Sequence, residues 1–270
     1  MTTARRNQIL STAPTMPALV KYRVDMVLMT LADIVAVTGG DPLLLWTAQG
    51  MRPGVRAWVR ADAVAVACPE LSRRDRMAVW GSVPAVTALL REALPEAGPT
   101  FRPIGDEPLI TGLSDAVEEL AVAGRFAWME VTAPVPALVR GDPHWLGDDR
   151  AGEVADLIDA AFPHSYARPG GAGVRRWAGI RAADGRLLAV AAEAWSVPEV
   201  GFIAGVATHA DARGRGLAAS VCSFVTNELL ATNGRVALFA DYWNEAAIAT
   251  YRRLGFTTRA LGAAHWRSGS

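Results

Sequence analysis

The chain has 270 residues, 51% of them hydrophobic, which is enough apolar material for one or two globular domains. Its 27 basic and 27 acidic residues cancel, so nothing indicates a nucleic-acid-binding surface. Two distant cysteines exclude a disulfide framework, and no apolar segment is long enough to span a membrane. With no signal-peptide pattern either, we expect a cytoplasmic protein with neither nucleic acid nor membrane among its partners.

The first half of the chain is predicted to alternate between strands and helices. Residues 20–37 are predicted to be partly helical, and the breaker Thr38-Gly39-Gly40-Asp41-Pro42 follows them. Ser82 as N-cap and Pro84 in the first turn predict a helix over 83–94, after which Pro95, Pro99, Pro103 and Pro108 are expected to interrupt the chain. The other predicted elements are strands at 55–60, 63–67, 76–79 and 126–131, and a helix at 115–123 that Gly124 ends.

The sequence Ala133-Pro134-Val135-Pro136 is typical of a hinge or linker. We therefore predict two domains, an N-terminal α/β domain over 1–132 and a second domain over 133–270. The second domain is predicted to begin with a helix that Asp148 or Asp149 caps and that runs to Phe162. A stretch rich in Gly and Pro (163–173) and a hairpin (175–180 with 186–195) follow.

A glycine-rich turn follows an apolar strand predicted at 202–206. Residues 208–213 form a turn-like stretch, Gly214-Arg215-Gly216 comes next, and a helical pattern runs over 217–230. The first turn of a helix offers unpaired N–H groups, and glycines allow the backbone to approach a phosphate closely. Arg213 and Arg215 add positive charge. The pattern predicts a site for a phosphate or pyrophosphate group.

One interpretation of this turn is a dinucleotide site. Residues 214–219 fit G-x-G-x-x-A, and Asp241 is about the right distance away to hold a ribose. However, about six residues separate the strand from the first glycine, where that motif requires a tight turn. The match also lies too near the C-terminus for a full doubly wound sheet to follow it.

The other interpretation is a resemblance to the GNAT superfamily of acyl-CoA-dependent N-acyltransferases. The family's pyrophosphate motif, Q/R-x-x-G-x-G/A, matches Asp211-Ala212-Arg213-Gly214-Arg215-Gly216, with Asp211 as the departure. The next helix in the family reads roughly N-x-x-A-x-x-x-Y-x-x-L-G-F, which Asn244, Ala247, Tyr251 and Leu254-Gly255-Phe256 match. The resemblance covers roughly the last half of the chain. It implies an α/β (α+β) fold with a mixed, mostly antiparallel sheet flanked by helices.

The resemblance also implies the reaction and its binding residues. The protein would move an acetyl group from acetyl-CoA, a cosubstrate, to a primary amine of a small molecule or peptide. The backbones of Val206 and Ala207 would bind the pantetheine arm and polarise the thioester carbonyl. Tyr251 would protonate the leaving sulfur, while Asn244 would cap its helix and touch the pantetheine. The pyrophosphate would lie on Arg213, Gly214, Arg215, Gly216, Leu217, Ala218 and Ala219.

The general base is the weak point of the match. Many GNAT proteins carry a glutamate on the central strand, where this chain has Phe202 and Ile203. Glu199 and Glu193 are the candidates that remain, acting directly or through water; both are also ordinary solvated carboxylates in the simplest interpretation. The missing glutamate keeps open a second class of function, an inactive acyl-CoA-binding regulatory module.

Further expectations concern the acceptor side and the first half. Ser165 and Tyr166 are candidates to line an acceptor pocket, Trp243 is a candidate for substrate contact, and His209 is expected to serve the turn. The order of elements in the first half is compatible with a degenerate copy of the GNAT fold, although no motif in it supports that interpretation. The acceptor, the acyl preference and the oligomeric state are left open.

Overall fold

The computed structural model describes residues 27–138 and 140–267. Within these residues the N-terminal half contains strands β1 (Val27–Leu28), β2 (Arg56–Arg60), β3 (Ala63–Leu71), β4 (Arg74–Trp80), β5 (Arg102–Asp106) and β6 (Leu120–Val131). Its helices are α1 (Leu31–Thr38), α2 (Pro42–Ala48), α3 (Val83–Ala97) and α4 (Glu107–Ala116). The beginning of the stretch predicted to be partly helical, 20–26, lies outside the described residues.

The C-terminal half follows the same order of elements. Its strands are β7 (His144–Trp145), β8 (Val174–Arg181), β9 (Leu187–Ala194), β10 (Gly201–Thr208), β11 (Val236–Asp241) and β12 (Thr257–Trp266). Its helices are α5 (Ala151–Ala161), α6 (Leu217–Asn233) and α7 (Glu245–Arg253). Each half thus runs strand, helix, three strands, helix, strand, helix, strand, with α1 and α2 together in the place of α5.

The strands form one mixed sheet of twelve, in the order β1-β2-β3-β4-β5-β12-β6-β11-β10-β9-β8-β7. Among the described strands only β4–β5 and β10–β11 are parallel pairs. The last strand of each half lies beside the other half, because β12 pairs with β5 and β6 pairs with β11. The two halves have therefore exchanged their final strands, and the sheet is continuous across the predicted domain boundary at 132/133, which stays a prediction.

Local sequence explains where several helices begin. Thr30 and Asp33 form a capping box at α1, and Asp41 caps α2 with Pro42 in its first turn. The Ser82 side chain accepts a hydrogen bond from the Ala85 amide at the start of α3, as predicted. These caps satisfy amides that have no partner within the helix.

The helix predicted at 115–123 is wrong. Helix α4 ends at Ala116, and β6 begins at Leu120 and includes Gly124. Strand β6 pairs with a neighbour on each side, β12 and β11, and these long-range pairings outweigh the local helical propensity.

The expected proline interruptions at three positions are also wrong. Pro95 lies inside α3 and Pro103 inside β5, while Pro108 stands in the first turn of α4. In a first helical turn the missing proline amide costs nothing, because that amide would have no partner within the helix. Strand β3 likewise runs through Pro69 to Leu71, beyond the predicted end at 67.

An aromatic cluster on one face of the sheet joins the two halves. Trp46 of α2 stacks on Phe202 of β10 with ring centroids 4.6 Å apart, and its ring also meets Trp128 and Phe239 edge-on. Trp46, Trp128 and Phe202 are at most 2% exposed, so this contact is part of the core. Helices α6 and α7 pack on the opposite face of the C-terminal half. No helix in the described part of the chain is long and apolar enough to cross a membrane.

Candidate functional site

The parallel strands β10 and β11 part near the middle of the C-terminal half. They pair from Gly201 to Ile203, and no β11 partner is recorded for residues 204–208. On its other side β10 carries a bulge between Ala204 and Ala207, where Gly205 has a φ of +61°. A Cβ on Gly205 would lie 2.5 Å from the Trp177 ring, so the bulge requires glycine. Val206 and Ala207 therefore lie on β10 beyond Ile203, the last β10 residue that pairs with β11.

The glycine-rich turn lies between β10 and α6. Gly214 and Gly216 have φ values of 74° and 75°, in the left-handed region that favours glycine. A Cβ on Gly214 would meet nothing within 4 Å, and one on Gly216 would approach only the Arg140 side chain, at 3.6 Å. The space in front of both glycines is therefore open.

The first turn of α6 has free amides. Gly216 is the N-cap and offers no side chain, and within the described part of the chain no acceptor is recorded for the amides of Leu217, Ala218 and Ala219. Arg213 and Arg215 are exposed at the same turn, and their side chains donate to the Thr208 and Asp211 carbonyls at 3.4 and 2.8 Å. Unpaired amides, the positive end of the helix dipole and two arginines are the features that favour an anion at a helix N-terminus.

The structure adds Arg140, which the sequence did not reveal. The stretch predicted to be a hinge has no regular structure, but it is fixed along α6 by three polar side chains. Asn227 Oδ1 accepts from the Val135 amide at 3.0 Å, Ser223 Oγ donates to the Pro136 carbonyl at 2.6 Å, and Ser220 Oγ accepts from the Arg140 amide at 3.1 Å. Ser220, Ser223 and Asn227 follow one another at helical spacing on α6, and this polar row was the signal in the sequence that a further segment contacts the helix. We call residues 133–138 together with Arg140 the strap.

Tyr251 lies beneath α6 and is 6% exposed. Burial raises the pKa of Tyr251 well above its ordinary value, and the neighbouring Cys222 thiol of that helix adds to this effect. The pKa of the Cys222 thiol is raised to about 12, also by burial. Tyr251 is consequently a protonated hydrogen-bond donor throughout the physiological pH range. The Asn244 side chain accepts from the Ala247 amide at 3.2 Å, which is the predicted cap of α7.

The two candidate bases lie in different surroundings. Glu193 on β9 is 4% exposed, and its carboxylate contacts Arg175 at 3.1 Å and Arg176 at 2.8 Å. It pairs with Ile203, three residues before Val206. Glu199 lies in the turn before β10, where its Oε2 is buried with no partner recorded in the described part of the chain. Because a strand rises about 3.3 Å per residue, Glu199 is about 20 Å from Val206 along β10.

The remaining candidates have varied roles. His209 Nδ1 accepts from the Asp211 amide at 3.4 Å, so it serves the turn, and Asp211 faces Arg186 at 3.6 Å. Ser165 Oγ donates to the Ala167 carbonyl inside its own loop, whereas Tyr166 is 43% exposed. Trp243, beside the α7 cap, is 76% exposed. Among the residues that the structure describes, no group of His, Cys, Asp or Glu side chains could hold a metal ion.

The equivalent position in the N-terminal half has no room for such a turn. Only Gly81 and Ser82 connect β4 to α3, where residues 209–216 connect β10 to α6. Ser82 caps α3 with its own side chain, and a Cβ on Gly81 would lie 2.8 Å from the Asp62 carbonyl. The first half thus keeps the order of elements and lacks the anion site.

Comparison with known proteins agrees with this architecture. Residues 178–266 match a family model described as FR47-like protein. A GCN5-related N-acetyltransferase from Kribbella flavida has a TM-score of 0.61 and 18% identity, with 85% of this chain and 95% of that chain covered. One from Sphaerobacter thermophilus has a TM-score of 0.57 and 16% identity, with 88% and 90% covered.

A tandem GNAT protein from the clavulanic acid biosynthesis pathway has a TM-score of 0.50 and 16% identity, and covers 91% of this chain and 99% of its own. No curated protein sequence matches this chain. Residues 178–266 are thus similar to the FR47-like family model, and the chain has the fold of these solved GNAT acetyltransferases, with a second α/β half.

Proposed function

We propose that this protein is an N-acetyltransferase that moves the acetyl group of acetyl-CoA to a primary amine by direct attack. The observation that carries the proposal is the uncapped first turn of α6, with open space before Gly214 and Gly216, beside the point where β10 and β11 part. An anion on the helix and an extended arm along the open strand edge together match the two ends of a CoA molecule.

The pyrophosphate would lie on the turn and the pantetheine on β10. Arg140 and the exposed side chains of Arg213 and Arg215 would supply charge around the phosphates. The pantetheine would hydrogen-bond the backbones of Val206 and Ala207, and Asn244 would touch its far side. The pyrophosphate contacts are Arg213, Gly214, Arg215, Gly216 and the amides of Leu217, Ala218 and Ala219.

The reaction needs a neutral amine, an oxyanion site and a proton for the leaving group. The amine nitrogen attacks the thioester carbonyl, and backbone N–H groups of β10 stabilise the oxyanion. The tetrahedral intermediate then collapses, the C–S bond breaks, and Tyr251 donates a proton to the sulfur. Its hydroxyl is protonated before this step, and the raised pKa makes it a weak acid, so a hydrogen bond to the leaving sulfur is the smaller demand on it.

The proton that leaves the amine has no direct acceptor on the central strand. Glu193 is the nearer of the two carboxylates, but Arg175 and Arg176 already occupy its two oxygens. Glu199 is free of such partners but lies about 20 Å from Val206 along β10. We propose that water carries this proton, with Glu193 or Glu199 as the final acceptor.

Calorimetry with acetyl-CoA and with NAD is the primary test, followed by a panel of amines scored for CoA release. We expect acetyl-CoA to bind and at least one amine to be acetylated. Tight acetyl-CoA binding with no turnover would favour the inactive regulatory module, which the missing strand glutamate supports. Binding of NAD alone would favour the dinucleotide-dependent oxidoreductase, although eight residues between β10 and α6 are too many for its tight turn.

A further inference from the structure

Arg76, at the start of β4, is a buried cation without a counterion. It is 8% exposed, and its Nε donates to the Leu71 carbonyl at 3.1 Å and to Ser72 Oγ at 2.9 Å. Among residues 27–138 and 140–267, no carboxylate is recorded within 4.0 Å of its guanidinium, and no acceptor is recorded for its two terminal nitrogens. Four of the five N–H donors of this guanidinium therefore have no acceptor among the described residues.

This guanidinium remains charged at neutral pH. The pKa of Arg76 is lowered to about 10, mainly by burial; Tyr166 raises it, and Arg74 and Arg102 lower it. A buried charge costs free energy unless it is paired. An anionic ligand would pair the terminal nitrogens of this cation, which Leu71 and Ser72 do not reach.

The position of Arg76 connects it with the candidate active site. Strand β4 runs antiparallel to β10 across the sheet, so the start of β4 lies level with the end of β10. The Arg76 guanidinium lies 5.5 Å from the centroid of the Phe239 ring. Phe239 directly follows Leu238, the last β11 residue that pairs with β10. An arginine of the first half thus lies where the strands of the second half part.

The hairpin formed by β3 and β4 also contacts the loop at 163–173 of the second half. The Arg74 guanidinium lies 5.5 Å from the centroid of the Tyr166 ring and donates to its hydroxyl at 3.2 Å. Tyr166 belongs to the loop at 163–173, so the two halves meet around Arg76. An acceptor that approaches the thioester from the aromatic face of the sheet would pass this arginine.

We propose that Arg76 binds a carboxylate of the acceptor, so that the substrate is an amine that also carries a carboxylate group, as an amino acid does. This rests on the proposed acetyltransfer. The planar fork of a guanidinium matches a carboxylate, and one accessible pair of donors balances one negative charge.

The test compares pairs of amines that differ only in this charge. Free amino acids and their carboxamides are assayed for CoA release with acetyl-CoA, using the wild type and Arg76→Gln. We expect the wild type to favour the acid over the amide by on the order of 10- to 100-fold in kcat/KM, the range for a hydrogen bond to a charged group. Arg76→Gln should lose that preference, keep the rate on the amide and bind acetyl-CoA normally.

Arg73→Gln is the matched control, because it removes the same charge from an exposed position of the same hairpin. If Arg73→Gln lost the acid preference to the same extent, the preference would come from the overall positive charge of the hairpin, and the proposal would be overturned. An acid preference that survives in Arg76→Gln would also overturn it. A preference for succinyl-CoA over acetyl-CoA that Arg76→Gln abolishes would assign the carboxylate to the acyl group instead and contradict the acceptor assignment.

Calorimetry with the same amine pairs separates this proposal from the proposed function. If the acids bind and the amides do not, in an Arg76-dependent manner, but acetyl-CoA does not bind, the anion site stands and acetyltransfer fails. If neither turnover nor binding distinguishes acid from amide, the Arg76 proposal is wrong. Thermal unfolding of Arg76→Gln adds a check without substrate: loss of the Nε hydrogen bonds to the Leu71 carbonyl and Ser72 Oγ should lower Tm, and the activity comparison is made below the Tm of the variant, where it is folded.

Discussion

At the scale of single residues, Gly216 and Gly234 form a natural pair at the two ends of α6. Both have left-handed φ values, 75° and 67°, and neither has an obstacle closer than 3.6 Å to an added Cβ. Alanine should therefore strain both backbones equally, by about 1 kcal/mol. Only Gly216→Ala places a methyl group where the phosphate would lie, so we expect it alone to weaken acetyl-CoA binding by calorimetry. Equal affinity in the two folded variants would refute the phosphate site.

A substitution at Tyr251 distinguishes a catalytic role of this side chain from a role in packing. We expect Tyr251→Phe to lower kcat by about 10²- to 10⁴-fold, the usual contribution of a general acid, with acetyl-CoA affinity little changed. Tyr242→Phe is the control, because Tyr242 is exposed and lies at the same end of the sheet. If only Tm changes in Tyr251→Phe and the rate is preserved, the tyrosine is a core aromatic.

The raised pKa of Tyr251 also predicts a pH dependence of stability. The folded state holds this proton more tightly than the unfolded state does, so the contribution is fully present below the unfolded pKa of about 10 and is lost as pH rises through the folded value. Stability should fall above about pH 10 in the wild type and fall less in Tyr251→Phe, as followed by denaturant unfolding at a series of pH values.

At the scale of elements, hydrogen bonds between the strap and α6 position Arg140 beside the first turn of that helix. The Asn227 side chain donates to the Val135 carbonyl at 3.1 Å and accepts from its amide at 3.0 Å. Asn227→Ala removes both bonds, so we expect the free energy of unfolding to fall by about 1–3 kcal/mol. Arg140 would also be held less firmly, so acetyl-CoA should bind more weakly.

Thr232→Ala, on the exposed side of the same helix, is the control for Asn227→Ala. It should change stability by at most about 0.5 kcal/mol and leave acetyl-CoA binding as it is. A strap whose loosening affects stability but not acetyl-CoA affinity would show that Arg140 does not contribute to the phosphate site.

At the scale of the whole molecule, the exchange of final strands makes each half depend on the other. A fragment over 133–270 lacks β6, the neighbour of both β11 and β12. Strand β12 would lose both of its neighbours, β11 would keep only β10, and the aromatic core would be exposed, so we expect this fragment to be insoluble alone. Co-expressed with 1–132 it should be recovered as a soluble pair that binds acetyl-CoA. A lone fragment with full affinity would contradict this account.

Several features were predictable because they depend on neighbouring residues. Gly214 and Gly216, the Asn244 cap and the strand at 202–206 each follow from a short stretch of sequence, and the structure places each as expected. The resemblance to the GNAT superfamily rested on the same short blocks. Their order along the chain was enough to predict the fold of the second half.

Other features were decided only by the tertiary structure. The helix predicted at 115–123 became part of β6 because two distant strands pair with it, and Arg259, for example, lies opposite Trp128 across 131 residues of sequence, the difference of their numbers. The burial of Arg76 beside Phe239 and the anchoring of the strap on α6 arise in the same way. Caps and turns are set by torsion preferences and hydrogen bonds within a few residues. Strand pairing and side-chain burial depend instead on which distant surfaces come into contact, and local sequence patterns do not determine those contacts.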